Sequence, residues 1–288
     1  KGVKFHDGSD LDANAIEFNI RRWWDKDFKY YYAPAATGPS FTMGFVKGVK
    51  VLSKYQIALN FGENRNWNWL DFLGEMTFWA MVSPKAIKEF GNEAIAKNPK
   101  AASGTGPYVI TNYEPGKKLV LEKNVNYWGE KPHLDKIIFR FIPDSAARVA
   151  ALLSGEVHII DELDPDLMDR VRQSNVAKVY LPGKPNAFSI LPNVSQPPFN
   201  DINVREAASI AIDRNAIANG LLLGSAKPAK GQLGLGNAAH NPDLPVIGYD
   251  PERAKKLLKE AGYPNGFSIK VRVPGPGCGM PKTVEVME

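Results

Sequence analysis

Residues 136–160 read KIIFRFIPDSAARVAALLSGEVHII, and this stretch sets the expected fold class. Lys136–Ile142 has few polar positions, as a strand would. Asp144-Ser145 supplies a helix cap, Val149, Leu152 and Leu153 recur at helical spacing, and Gly155 stops the helix. Val157–Ile160 reads as a second strand, so the stretch predicts a β-α-β unit. Asp164-Pro165 starts a further helix, and Lys178–Leu181 a further strand.

Upstream, Ser103-Gly104-Thr105-Gly106-Pro107 is the clearest break in the chain. Beyond it Tyr108–Tyr113 and Leu119–Lys123 flank Glu114-Pro115-Gly116-Lys117, and Pro then Gly at the two central positions is what a type II turn requires. Before the break, Asp12 caps a helix with Ile16, Ile20 and Trp23 on one face. Val46–Val51 and Gln56–Phe61 alternate around Ser53-Lys54 and predict a hairpin. Trp69, Phe72, Leu73 and Met76 mark a helix, and Ser83-Pro84 opens another. Downstream, Asn193–Asn200 is a second break, followed by two helices around Asp213 and a Gly/Pro-rich loop from Gly224 to Gly248. Asp250, Pro251, Ala254, Leu257, Leu258, Ala261 and Gly262 then spell a capped, amphipathic helix, and Phe267–Val273 a strand. The mixture predicts an α/β protein with attached α+β lobes.

The length, 288 residues, suits two or three lobes rather than one core. With 44% apolar and 23% charged residues the chain is neither disordered nor a fibrous rod, and no apolar run spans a bilayer. Lys+Arg 36 against Asp+Glu 31 gives +5, spread too thinly for nucleic-acid binding. One cysteine excludes an internal disulfide and any multi-Cys metal site. Cys278, among Gly and Pro with no nearby His, reads as a loop residue rather than a nucleophile. His158 with Asp161 and Glu162 could be a fragment of a metal site, but a strand end entering an acidic loop is the plainer reading. Gly234-Leu235-Gly236-Asn237-Ala238-Ala239 matches a loosened dinucleotide pattern, yet Pro228 before it and Asn241-Pro242 after it make it a loop. No cofactor, no metal and no catalytic constellation is expected. The aromatic stretches are what remain, with Tyr31, Tyr32 and Phe41 in a loop-like segment suited to binding.

Several stretches taken together resemble the family 5 extracellular solute-binding proteins, the dipeptide/oligopeptide/nickel group that serves ABC importers. The opening Lys1-Gly2-Val3-Lys4-Phe5-His6-Asp7-Gly8 with Asp12-Ala13 is similar to the family's signature region. Gly104-Thr105-Gly106-Pro107-Tyr108, Asn126-Tyr127-Trp128-Gly129-Glu130-Lys131-Pro132 and Ile142-Pro143-Asp144 follow in the family's order. So do Pro197-Pro198-Phe199-Asn200-Asp201, Val204-Arg205-Glu206-Ala207, Ala211-Ile212-Asp213-Arg214, and the run from Tyr249 to Tyr263.

The resemblance implies a periplasmic-binding-protein fold of class II, two lobes closing by a hinge, plus a smaller extra α+β domain. Residues 1–103 would be the smaller domain, 104–190 part of the first lobe, and 191–288 the first part of the second. Gly104, Thr105, Gly106 and Pro107 would mark the lobe re-entry. Tyr31, Tyr32, Ser40 and Phe41 would face the ligand, and Trp79 with Ala80 a second pocket wall. The nickel-chelate branch carries an Arg near Ala80, and its absence here counts against that branch. Within the family, peptides are expected rather than opines, sugars, glutathione or metal chelates. The expected role is capture of short peptides for a membrane ABC permease, at the periplasmic or extracellular face, by a monomer that is not an enzyme. A hydrolase on a similar scaffold is the alternative of another class. Both ends read as cut: the chain lacks an initiator Met and a leader, and closes on what looks like the first turns of a helix. The expectation is an incomplete middle piece, with the main ion-pairing residues beyond Glu288.

Overall fold

The computed structural model describes residues 1–35, 46–63, 80–181, 189–231, 233 and 240–271. The chain divides into two compact units, Lys1–Phe141 and Ile142–Glu288.

In the first unit, Asp12 accepts a hydrogen bond from the Ala15 amide at 3.0 Å and opens helix α1 (Ala13–Trp24). The expected apolar face buries Ile20 and Trp23 against Val46 and against Val49, Ile57 and Leu59 of a hairpin. That hairpin, β1 (Gly48–Ser53) and β2 (Gln56–Asn60), is antiparallel and pairs Val49 with Leu59 and Val51 with Ile57. Ser83 caps helix α2 (Pro84–Phe90), its Oγ accepting from the Ala86 amide at 3.2 Å, with proline at the first helical position where no amide partner is needed. A 3-10 turn, Asn92–Ala96, follows.

Strands β3 (Tyr108–Glu114), β4 (Lys118–Lys123) and β5 (Lys136–Arg140) form an antiparallel meander. The connection between the first two is the expected turn: the Lys117 amide donates to the Glu114 carbonyl at 2.9 Å, and Gly116 has φ +71°. That angle lies where a type II turn needs its third residue and where only glycine is free of a Cβ clash.

In the second unit Asp144 caps helix α3 (Ser145–Leu153) by accepting from the Ala147 amide at 2.7 Å, and Val149 is fully buried. A 3-10 turn (Pro165–Leu167) leads into helix α4 (Met168–Gln173), which buries Met168 and Val171. Helix α5 (Ile202–Ile210) packs on helix α6 (Pro251–Glu260) through Ala207, Ile210 and Ala254, with Leu257 and Leu258 alongside. An Arg253–Glu206 ion pair and a 2.8 Å bond from the Asp250 amide to the Ile210 carbonyl fasten the two helices. Asp213 caps the short helical turn Arg214–Ala216, which runs on as a π-helical turn, Ile217–Leu221.

Three expected strands are not formed. Val157–Ile160, Lys178–Leu181 and the described part of Phe267–Val273 carry no ladder. The β-α-β unit of 136–160 therefore lacks its second strand, and β5 instead closes the meander. The physical reason is that a strand exists only against a neighbour. Among the described residues no strand pairs with these segments, and several of their apolar side chains are exposed: Ile159 at 87%, Tyr180 at 83% and Ile269 at 49%. The helix expected around Trp69–Met76, the Gly234–Ala239 loop, Cys278 and the closing helix at 281–288 lie outside the described residues. No described helix is long and apolar enough to cross a membrane.

Candidate functional site

The last turn of α1 leads into the aromatic segment that holds Tyr31 and Tyr32. The Tyr31 amide donates to the Phe28 carbonyl at 2.8 Å, and the Tyr32 amide returns to the Arg22 carbonyl of α1 at 3.0 Å. Phe18, Phe28 and Tyr30 form a ring cluster with centroids 5.2–5.6 Å apart. Three cations border it: Arg21 lies 4.5 Å from the Phe28 ring centre, Lys29 5.4 Å from Tyr30, and Lys88 5.7 Å from Phe18.

Beside this cluster Arg22 is 3% exposed, and burial pulls its pKa below the usual arginine value. Its Nε donates to Asn92 Oδ1 at 2.5 Å, and its guanidinium lies 5.7 Å from the Tyr32 ring centre. Asn92 Nδ2 in turn donates to the Tyr30 carbonyl at 3.1 Å. Loss of solvent, and then the hydrogen bond from its hydroxyl to the Glu93 carboxylate, hold Tyr32 above the usual tyrosine pKa.

Gly104–Pro107, the other expected landmark, is a knot of backbone acceptors. The His6 amide donates to the Gly104 carbonyl at 2.8 Å and Trp128 Nε1 to the Thr105 carbonyl at 3.0 Å. Asn124 uses its side chain on the Gly106 carbonyl at 3.1 Å and its amide on the Pro107 carbonyl at 2.8 Å. The His6 ring sits across the turn, with Nδ1 3.3 Å from the Gly104 amide and Nε2 3.1 Å from the Gly106 carbonyl. A neutral imidazole with its proton on Nε2 satisfies both contacts at once.

Next to the knot the Asp7 carboxylate accepts from the Ser83 hydroxyl at 2.5 Å, and from the Ser9 hydroxyl and amide at 2.5 and 3.0 Å. Burial raises its pKa, but these three donors outweigh it and leave the carboxyl below the ordinary 3.8. The charged form is therefore the one the fold stabilises, and that contribution is lost as pH falls through the folded-state pKa. Thermal melting of the protein should drop as the pH is taken below about 3.8, and Asp7→Asn should flatten that drop. Parallel pH profiles for the two proteins would contradict it.

Of the expected ligand-facing residues, Tyr31 and Tyr32 share one segment, whereas Ser40, Phe41 and Trp79 lie outside the described residues. A shallow groove of about 200 Å³, lined by Ser9, Asp12, Phe18, Lys85 and Lys88 among others, does not include either tyrosine. The acidic loop at Asp161-Glu162 is held by Arg148, whose guanidinium donates to the Ile142, Pro143 and Glu162 carbonyls at 2.8–3.0 Å. Among the described residues no three His, Cys, Asp or Glu side chains converge on a metal-sized site. Sequence reasoning missed Asn19, Arg22 and Asn92. For Asn19 a signal existed: it falls three residues after Ile16 and four before Trp23, on the apolar stripe.

The chain is 31% identical over 285 residues to heme-binding protein A of Haemophilus influenzae, covering 93% of this chain and 50% of that protein. It is 29% identical over 288 residues to the dipeptide-binding protein of Escherichia coli K12, covering 93% of this chain and 52% of that one. Its fold superimposes with a TM-score of 0.77 on the ABC transporter-associated periplasmic binding protein DppA of Helicobacter pylori in complex with the peptide STSA. That match is 28% identical and covers 93% of this chain and 54% of the other. The chain thus spans about half the length of the curated relatives it matches, and its fold is of the periplasmic-binding-protein type. A family model matches residues 1–287, and the chain belongs to the bacterial extracellular solute-binding proteins, family 5 (middle).

Proposed function

We propose that the protein captures short peptides outside the cytoplasmic membrane and delivers them to an ABC permease. The observation that carries this reading is the family match over residues 1–287. The likeness to a binding protein solved with the peptide STSA supports the ligand class. In this reading residues 1–103 form the smaller extra domain, 104–190 part of the first lobe and 191–288 the first part of the second. Tyr31 and Tyr32, with Ser40, Phe41 and Trp79, line the ligand side. An aromatic ring with a polar edge suits side chains of many kinds, since it offers apolar area and one hydrogen bond. Gly104–Pro107 is the re-entry into the first lobe, and its engaged carbonyls support a firm pivot about which lobes close. Capture requires no covalent step, so the protein works as a receptor, not an enzyme, and as a monomer at the periplasmic or extracellular face.

Titration of the full-length protein with trialanine in a calorimeter tests this. The expected result is saturable binding at one site, with the peptide recovered uncleaved. Haem is the second reading, favoured by the 31% identity to the heme-binding relative. Saturable binding of haemin with no heat from peptides would replace the first reading by the second.

A further inference from the structure

We propose that Arg22 and Asn92 are positioning residues for ligand capture, fixing the Tyr30–Tyr32 segment between α1 and the Asn92–Ala96 turn; this rests on the function proposed above. The carboxamide of Asn92 is used at both ends. An arginine can only donate, so the Asn92 oxygen must face Arg22 Nε, which lies 2.5 Å away. That leaves the Asn92 nitrogen to reach the Tyr30 carbonyl, at 3.1 Å. Arg22 therefore sets the orientation of the amide, and the amide holds the tyrosine backbone. The same arginine meets the segment twice more. Its carbonyl accepts from the Tyr32 amide at 3.0 Å, and its guanidinium lies 5.7 Å from the Tyr32 ring centre. A guanidinium that is 3% exposed cannot swing away without losing this packing. Glu93, adjacent to Asn92, accepts from the Tyr32 hydroxyl. Backbone, ring and hydroxyl of one short segment are thus held by one helix and one turn. Such fixing before binding removes an ordering cost from the association step.

Asn92→Asp separates this role from mere support of a buried cation. Aspartate keeps the acceptor for Arg22, and strengthens it, but loses the donor to Tyr30 and sets a carboxylate oxygen against that carbonyl. In the full-length protein, amide hydrogen exchange at residues 30–32 and trialanine and haemin affinity would be compared with wild type. We expect faster exchange at 30–32, binding about tenfold weaker, and a melting temperature close to wild type. Unchanged exchange would overturn the inference, as would faster exchange with unchanged affinity. Wild-type protein that binds neither probe would instead contradict the proposed function, and the exchange result alone would then decide whether the pair fixes the segment. Should Asn92→Asp not fold, Arg22→Lys carries the same test, because lysine loses the planar contact with Tyr32 while keeping the charge.

Discussion

Asn19→Leu should destabilise the Lys1–Phe141 unit by about 2–5 kcal/mol, measured by urea unfolding. Asn19 is fully buried on α1. Its Nδ2 donates to the Ala15 and Val82 carbonyls, both at 2.9 Å, and its Oδ1 accepts from the Val82 amide at 3.1 Å. One side chain thus answers both polar groups of Val82, as a neighbouring strand would. Leucine keeps the branched skeleton of asparagine with somewhat more bulk, so the cost is not a cavity. It is two partly buried backbone groups at Val82 left without partners, each worth about 1–3 kcal/mol. Asn19→Asp should be worse near neutral pH, because it keeps the acceptor but turns a carboxylate oxygen on two carbonyls. A leucine variant as stable as wild type would show that Val82 finds another partner at no cost.

Trp23→Ala should cost about 3–5 kcal/mol. Trp23 is 3% exposed and shares a core with Ile20 and Val46, against which Val49, Ile57 and Leu59 pack. It is the largest buried group between the β1–β2 hairpin and α1, and closely packed aliphatic neighbours relax only partly into the space it leaves. Trp23→Phe should cost less than half as much, since most of the apolar contact remains. Because Asn19 and Trp23 lie four residues apart on one helix, the double variant should lose less than the sum of the two. An alanine variant within about 1 kcal/mol of wild type would mean that α1 is not held by this contact.

The readings that succeeded rest on local chemistry. Asp12, Ser83, Asp144 and Asp250 each cap a helix because their side chains reach the amide three residues on, whatever the rest of the chain does. Pro115-Gly116 makes its turn for the same reason. The strands expected at 157–160, 178–181 and, over its described residues, 267–271 fail because a strand's hydrogen bonds lie in another segment, which no local pattern reports. Tyr31 and Tyr32 stood out by composition, and the structure gives them a common setting. Arg22 and Asn92 did not stand out, because 70 residues separate them and only the tertiary fold makes one orient the other. Asn19 was visible as a polar residue on an apolar stripe, yet what it bonds to, 63 residues away, was not.

The central claim is that this is a receptor for peptides. It is tested most directly by denaturing the freshly purified full-length protein and weighing the small molecules it releases. The account predicts a ladder of short peptides of mixed sequence, in amounts close to one per protein. A single defined species of another class, such as haem, would contradict the peptide claim while leaving the family assignment in place.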